Sequence, residues 1–274
     1  MSEPIRPPDV LYIGYSRSGS TFIRQFLERH PDIYWDRRAH AYLVDPDKVV
    51  IADSEASRIE AAKVYVSMSE KMCESLAFKD RQRWRECQWR PNAWDDLQGD
   101  VEVRPEHNAT ALKALFPASR ALIVIRDQRD WLDSLYRMYI DRLPPGRRSF
   151  VDFCATPRGA VLLRAAMYDV TIEAYLAGFG ADNLKVLRYE RLRDDRAGFL
   201  ADLCTFLGVL PMPFDAPPAN VGRDLAATRL HRHLPTARHA PDGLKQLAHR
   251  LLRSRAGVKP AALSTEDCRF LEAY

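Results

Sequence analysis

Eight residues near the start of the chain combine the small size, hydroxyls and charge needed to hold an anion: Gly14-Tyr15-Ser16-Arg17-Ser18-Gly19-Ser20-Thr21. Before them, Val10-Leu11-Tyr12-Ile13 reads as a short apolar strand. After them, Phe22, Ile23, Phe26 and Leu27 fall on one face of a helix. A strand, a tight loop and a helix N-terminus in that order present consecutive backbone N–H groups, which bind phosphate oxygens. Gly14, Gly19 and Thr21 fit the spacing G-x-x-x-x-G-K-[ST], but Ser20 stands at the lysine position and the cation within the loop is Arg17. A cradle that keeps its glycines and moves its cation points to a phosphate-containing ligand other than an ordinary Mg-nucleoside triphosphate.

A second segment has the chemistry to hold a phosphomonoester. Ala121-Leu122-Ile123-Val124-Ile125 is a continuous apolar run suited to a strand buried on both faces, and it ends in Arg126. Trp131, Leu135, Met138 and Tyr139 then recur at helical spacing, which sets Ser134 about two turns into the next helix. Ligands of open α/β sheets bind outside the carboxyl ends of the strands, so both side chains can face a ligand crevice. A guanidinium forks onto two phosphate oxygens and a hydroxyl donates to a third.

The two segments together resemble the sulfotransferase family. A basic residue before S-G-T-T or S-G-S-T contacts the 5′-phosphosulfate of 3′-phosphoadenosine 5′-phosphosulfate (PAPS) there, and Arg17 takes the place usually held by lysine. The run Arg126-Asp127-Gln128-Arg129-Asp130-Trp131-Leu132-Asp133-Ser134-Leu135-Tyr136 resembles the signature R-[DN]-P-x-D-x-x-x-S-x-Y, with Gln128 replacing proline. The resemblance implies that Arg126 and Ser134 hold the donor's 3′-phosphate, and that Ser18, Gly19, Ser20 and Thr21 line the 5′ end. Leu184 to Leu192 looks like the family's strand ending in Y-E-x-L, which implies a place for Tyr189 near the adenine. Pro218 to Arg223 falls where the family has a donor-closing loop, making Arg223 a further phosphate ligand by resemblance.

The resemblance also implies a reaction: in-line transfer of the sulfuryl group from PAPS, leaving the bisphosphate PAP, to a hydroxyl or amine of a small-molecule or carbohydrate acceptor. Arg17 would then stabilise charge electrostatically, because a guanidinium is a very poor proton donor. No metal is required. Arg104-Pro105-Glu106-His107-Asn108 resembles the family's K-T-P-x-H segment, which makes His107 the first choice of base, an imidazole titrating near neutrality. In the heparan-type branch the base is a glutamate shortly after the first helix. Asp36 and His40 stand in that region here.

The elements that must position these groups follow an α/β alternation. Strands are expected at Val10–Ile13, Val49–Ala52, Val101–Val103, Ala121–Ile125 and Leu184–Leu187, with helices between them. Arg196 to Val209 reads as a helix stopped by Gly208. The expected architecture is a P-loop-like three-layer α/β/α fold with a central parallel sheet of about five strands and additional helices over the acceptor cleft. One sulfotransferase domain is expected over residues 1–274, with a helical insertion at about 54–95 and a C-terminal helical segment at about 224–274. The aromatics Tyr65, Phe78, Trp84, Trp89 and Trp94 of the insertion suit either a cleft wall or core packing.

Composition limits the remaining classes. The chain has 274 residues, 46% of them hydrophobic, enough for one large core. Its net charge of +4 suits anionic ligands without indicating nucleic-acid binding. The N-terminus lacks an apolar signal core and no run approaches a membrane span, which leads to the expectation of a cytoplasmic protein. Five cysteines at Cys73, Cys87, Cys154, Cys204 and Cys268 have no metal-like spacing. A P-loop small-metabolite kinase and a non-catalytic nucleotide-binding protein on the same fold are the alternatives.

Overall fold

The computed structural model describes residues 6–45, 49–70, 76–78, 81–97, 101–103, 105–144 and 146–216. The first half runs β1 (Val10–Tyr12), α1 (Ser20–Arg29), β2 (Ile33–Asp36), α2 (Ala39–Val44), α3 (Asp53–Ala61), β3 (Val64–Met68), β4 (Leu76–Phe78), α4 (Arg81–Cys87), α5 (Trp94–Leu97), β5 (Val101–Val103) and α6 (Pro105–Leu115). The second runs β6 (Arg120–Ile125), α7 (Gln128–Tyr139), α8 (Phe150–Cys154), α9 (Pro157–Ala165), α10 (Tyr168–Phe179), β7 (Leu184–Arg188), α11 (Tyr189–Asp194) and α12 (Arg196–Leu207). The chain groups into two units: Met1–Leu76, Val103–Asp127 and Met167–Ala219 form the first, Ala77–Glu102, Gln128–Ala166 and Asn220–Tyr274 the second.

The first unit holds a five-stranded parallel sheet in the order β2-β3-β1-β6-β7. Every residue of β1 and β3 is buried, as are Ala121 to Val124 of β6, so these strands are apolar or aromatic rather than alternating, with Ser67 of β3 the exception among them. Ile23, Phe26 and Leu27 of α1 and Phe199, Leu200, Leu203 and Leu207 of α12 share one core with Val10, Val66 and Val124 of the sheet. Gly208 closes α12 with φ 75°, the left-handed stop its position predicts. After β1 the chain moves toward β2 and β3, and β6 starts the other side of the sheet. The order therefore reverses between β1 and β6, and the carboxyl ends of those strands form the natural ligand crevice.

Two strand expectations need correction. Val49 to Ala52 forms no strand: it is an unpaired lead-in to α3, with Val50 81% exposed. Val101–Val103 is a strand, but it pairs with β4 in a separate two-stranded sheet. The central sheet is completed instead by β2 and β3. The stretch from Glu55 to Trp94, expected as helices, thus contains a central strand. Its aromatics divide: Tyr65 and Trp84 are buried, while Trp89 packs on Tyr139 with ring centroids 4.7 Å apart.

The second unit packs around rings. Tyr136 meets Phe150 edge-on at 5.6 Å, Tyr139 stacks toward Phe153 at 6.3 Å, and the Arg142 guanidinium lies 5.1 Å from the Trp89 ring centre. Ser149 and Thr156 cap α8 and α9 through their hydroxyls. Arg223 and the 224–274 segment lie outside the described residues. Among the described residues no helix is long and apolar enough to cross a membrane, and Cys87, Cys154 and Cys204 are buried thiols outside any disulfide.

Candidate functional site

The loop after β1 is held from beneath and bent by two left-handed residues. Ile13 N–H donates to the Leu122 carbonyl at 2.8 Å, carrying the β1–β6 pairing past the end of the strand. Tyr15 anchors the next turn: its hydroxyl donates to Thr171 Oγ1 at 3.0 Å, and its ring meets Tyr168 edge-on at 4.7 Å. Arg17 then adopts φ 66° and Gly19 φ 86°, so the chain doubles back before α1 begins at Ser20. Glycine is required at position 19 on two counts. Its φ is disfavoured for other residues, and a Cβ would come within 2.7 Å of Leu192 Cδ2 and 3.1 Å of Tyr189 Cδ2. No side chain caps α1 and its first turn carries no acid, so the positive helix end is left for an anion.

Three elements deliver charge and a ring to this loop. Arg126, just past β6, donates from Nη1 to the Arg17 carbonyl at 3.2 Å, and its guanidinium lies 4.9 Å from the Tyr189 ring centre at the start of α11. Burial, then the like charge of Arg126, pull the Arg17 guanidinium below its ordinary pKa, against the opposing pull of Tyr189 and Glu70. Arginine stays protonated under such a shift, so the two cations repel each other and favour an anion between them. Ser18 is completely buried, and its Oγ has no hydrogen-bond partner among the described residues.

A model of the sulfotransferase family matches residues 8–213. The chain belongs to the sulfotransferase family. A sulfotransferase from Alicyclobacillus acidocaldarius shares its fold, with a TM-score of 0.50 at 18% identity over 78% of this chain and 88% of that one. The sulfotransferase domain from the curacin biosynthetic pathway is also similar, at TM-score 0.46, 14% identity and 98% of both chains. Mouse sulfotransferase SULT7A1, solved in complex with PAP, matches at TM-score 0.37 and 14% identity over 97% of this chain and 75% of that one. Among curated proteins no sequence matches.

The sulfotransferase site expected from sequence is thus only partly gathered in one unit. Arg17, Ser18, Gly19, Ser20, Thr21, Arg126 and Tyr189 belong to the first unit and meet at the loop or start α1. Ser134 lies half-buried on α7 of the second unit. His107 is exposed in the first turn of α6. His40 is half-buried on α2.

Asp36, at the end of β2, has both oxygens engaged. Oδ1 accepts from Ser67 Oγ at 2.6 Å and Arg38 N at 3.0 Å, and Oδ2 from Tyr65 Oη at 2.6 Å and Arg38 Nη1 at 2.9 Å. Sequence reasoning passed over three further groups. Arg24, Arg37 and Glu70 line a cavity of about 180 Å³ with Ser20, Thr21 and Met68. The signal was available for Arg24, one turn past Thr21, but Glu70 could be placed only once β3 was known to lie beside β1.

Proposed function

We propose that this sulfotransferase takes its sulfuryl group from PAPS and transfers it by in-line displacement to a hydroxyl or amine of a small-molecule or carbohydrate acceptor. The observation that carries the reading is the convergence of Arg17, Arg126 and the Tyr189 ring on a glycine loop whose buried Ser18 hydroxyl has no hydrogen-bond partner among the described residues. These residues fit a nucleotide with anionic groups at both ends and a base for the ring. Bound PAPS supplies an activated sulfuryl group whose departure leaves PAP.

The chain's own residues divide the remaining work. The free N–H groups that open α1, with the Ser20 and Thr21 hydroxyls, hold the 5′-phosphate. Arg17 neutralises charge on the transferring group without giving up a proton. Arg126 forks onto the 3′-phosphate, and Ser134 is assigned to the same group by the family resemblance alone. Tyr189 lies against the adenine, and the family resemblance alone adds Arg223, outside the described residues, as a phosphate ligand. His107 takes the acceptor's proton. The engagement of both Asp36 oxygens by Arg38, Ser67 and Tyr65 argues against that carboxylate as base.

Incubation with PAPS carrying labelled sulfate and a panel of phenolic, sugar and amine acceptors tests the reading. Label is expected on one acceptor class, with Arg17→Ala depressing turnover more than donor affinity. Label that never leaves PAPS across all classes, with His107→Ala indistinguishable from wild type, would contradict it.

A further inference from the structure

The start of α1, which the donor reading gives to the 5′-phosphate, also opens onto a polar cavity whose other lining residues that reading does not use. Its wall combines the start of α1 (Ser20, Thr21, Arg24) with Arg37 just past β2, and Met68 and Glu70 at and beyond the end of β3. Arg126 and Tyr189 follow β6 and β7, on the opposite side of β1 in the sheet. A donor whose 3′ end and base lie over β6 and β7, with its 5′ end on the loop, points its sulfuryl group toward the β3 side. An acceptor must approach from there for in-line attack. At about 180 Å³ the cavity is smaller than the roughly 300–1,000 Å³ of sites that enclose whole drug-sized ligands, so it takes one end of an acceptor.

The arginines around it are used in two different ways. Arg38 is bound to Asp36 and Glu55, Arg29 lies over the Phe214 ring and Arg58 over Tyr34. Arg24 and Arg37, by contrast, make no hydrogen bond, ion pair or ring contact among the described residues. Two guanidinium groups without partners on one small cavity make a fork-rich site for an oxyanion. Glu70 is the single carboxylate on the wall among the described residues, and it repels an anion from the β3 side. The acceptor's polarity follows: anion toward Arg24 and Arg37, neutral hydroxyl toward Glu70 and the loop.

Resting on the donor reading above, we propose that this cavity is the acceptor subsite and that it selects acceptors carrying an oxyanion close to the sulfated group, with Arg24 and Arg37 as the ligands of that oxyanion. Calorimetric titration of inorganic phosphate, sulfate and acetate, each at constant ionic strength, into full-length protein saturated with PAP tests it. Saturable binding of at least one anion to the wild type is expected, and the best-bound one identifies the kind of oxyanion. Arg24→Gln and Arg37→Gln should each weaken that binding about tenfold or more while PAP affinity stays within about twofold. Three results would overturn the proposal: no anion binding to the PAP-saturated wild type, anion binding unchanged in both variants, or a loss of PAP affinity as large as the loss for the anion. Failure of the wild type to bind PAP at all overturns the donor reading instead, which separates the two. Melting temperatures of the variants near that of the wild type confirm that each has folded.

Discussion

Two polar clusters lie at the carboxyl ends of the same sheet, and they have opposite characters. Around Asp36, every group is answered: the carboxylate accepts from Arg38, Ser67 and Tyr65, Arg38 Nη2 reaches Glu55 at 2.6 Å, and Tyr34 donates to Glu55 at 3.2 Å. Burial and the Asp36 charge push the Tyr65 phenol far above its usual range, so it stays a hydrogen-bond donor. Around the loop, Arg126 donates to the Arg17 carbonyl while its charge opposes that of Arg17, and the buried Ser18 hydroxyl has no hydrogen-bond partner among the described residues. A closed network of this kind fixes the position of a strand. At the loop, the like charges of Arg17 and Arg126 oppose each other, a cost that a bound anion lowers.

Removing a member of each cluster should therefore have opposite consequences. The largest effect is expected from Asp36→Ala, which strips Arg38 and Tyr65 of their buried partner. A loss of about 3–5 kcal/mol of folding stability should appear in denaturant titration, with PAP affinity nearly unchanged in the fraction that remains folded. Arg126→Ala should do the reverse: PAP binding weakens about fiftyfold by calorimetry, while the melting temperature moves little. Comparable losses of stability in both variants would erase the distinction between the clusters.

A smaller and sharper contrast comes from Ser18→Ala. Deleting an unanswered hydroxyl should leave stability equal or slightly improved and weaken PAP binding about fivefold. The smallest effect concerns acid. The hydrogen bond from Arg38 holds the half-buried Glu55 carboxyl below its ordinary pKa, so its contribution to stability is present above that ordinary value and fades as pH falls through the lowered one. Melting curves recorded from about pH 6 to about pH 2 should show a slightly steeper acid loss for wild type than for Glu55→Gln.

The same contrast explains what was legible in the sequence. Val10–Tyr12 and Ala121–Ile125 were readable because a strand buried on both faces needs an unbroken apolar run. Ile33–Asp36 and Val64–Met68 were not, because each carries a buried polar residue, Asp36 and Ser67, that is tolerated only through the bond between them. That bond spans 31 positions and leaves no local trace. Missing β3 shifted attention to Val101–Val103 and the Arg104 to His107 segment, and away from Glu70.

The loop itself carried strong local marks, since glycines and hydroxyls at fixed offsets are dictated by backbone geometry. The mutual positions of Arg17, Arg126 and Tyr189 came from the family resemblance, and the structure brings those three together. Arg24 and Arg37 had no comparable signature. An arginine's role depends on whether a partner lies nearby, as the bound Arg38 beside Arg37 shows.

The most direct test of the donor assignment is a calorimetric comparison of PAP, Mg-ATP and Mg-GTP on the full chain, with PAP titrated in the presence of a chelator. Tight binding of PAP without metal, and much weaker binding of either triphosphate, is the predicted result. Preference for Mg-ATP over PAP would contradict the account and make the loop that of a phosphotransferase.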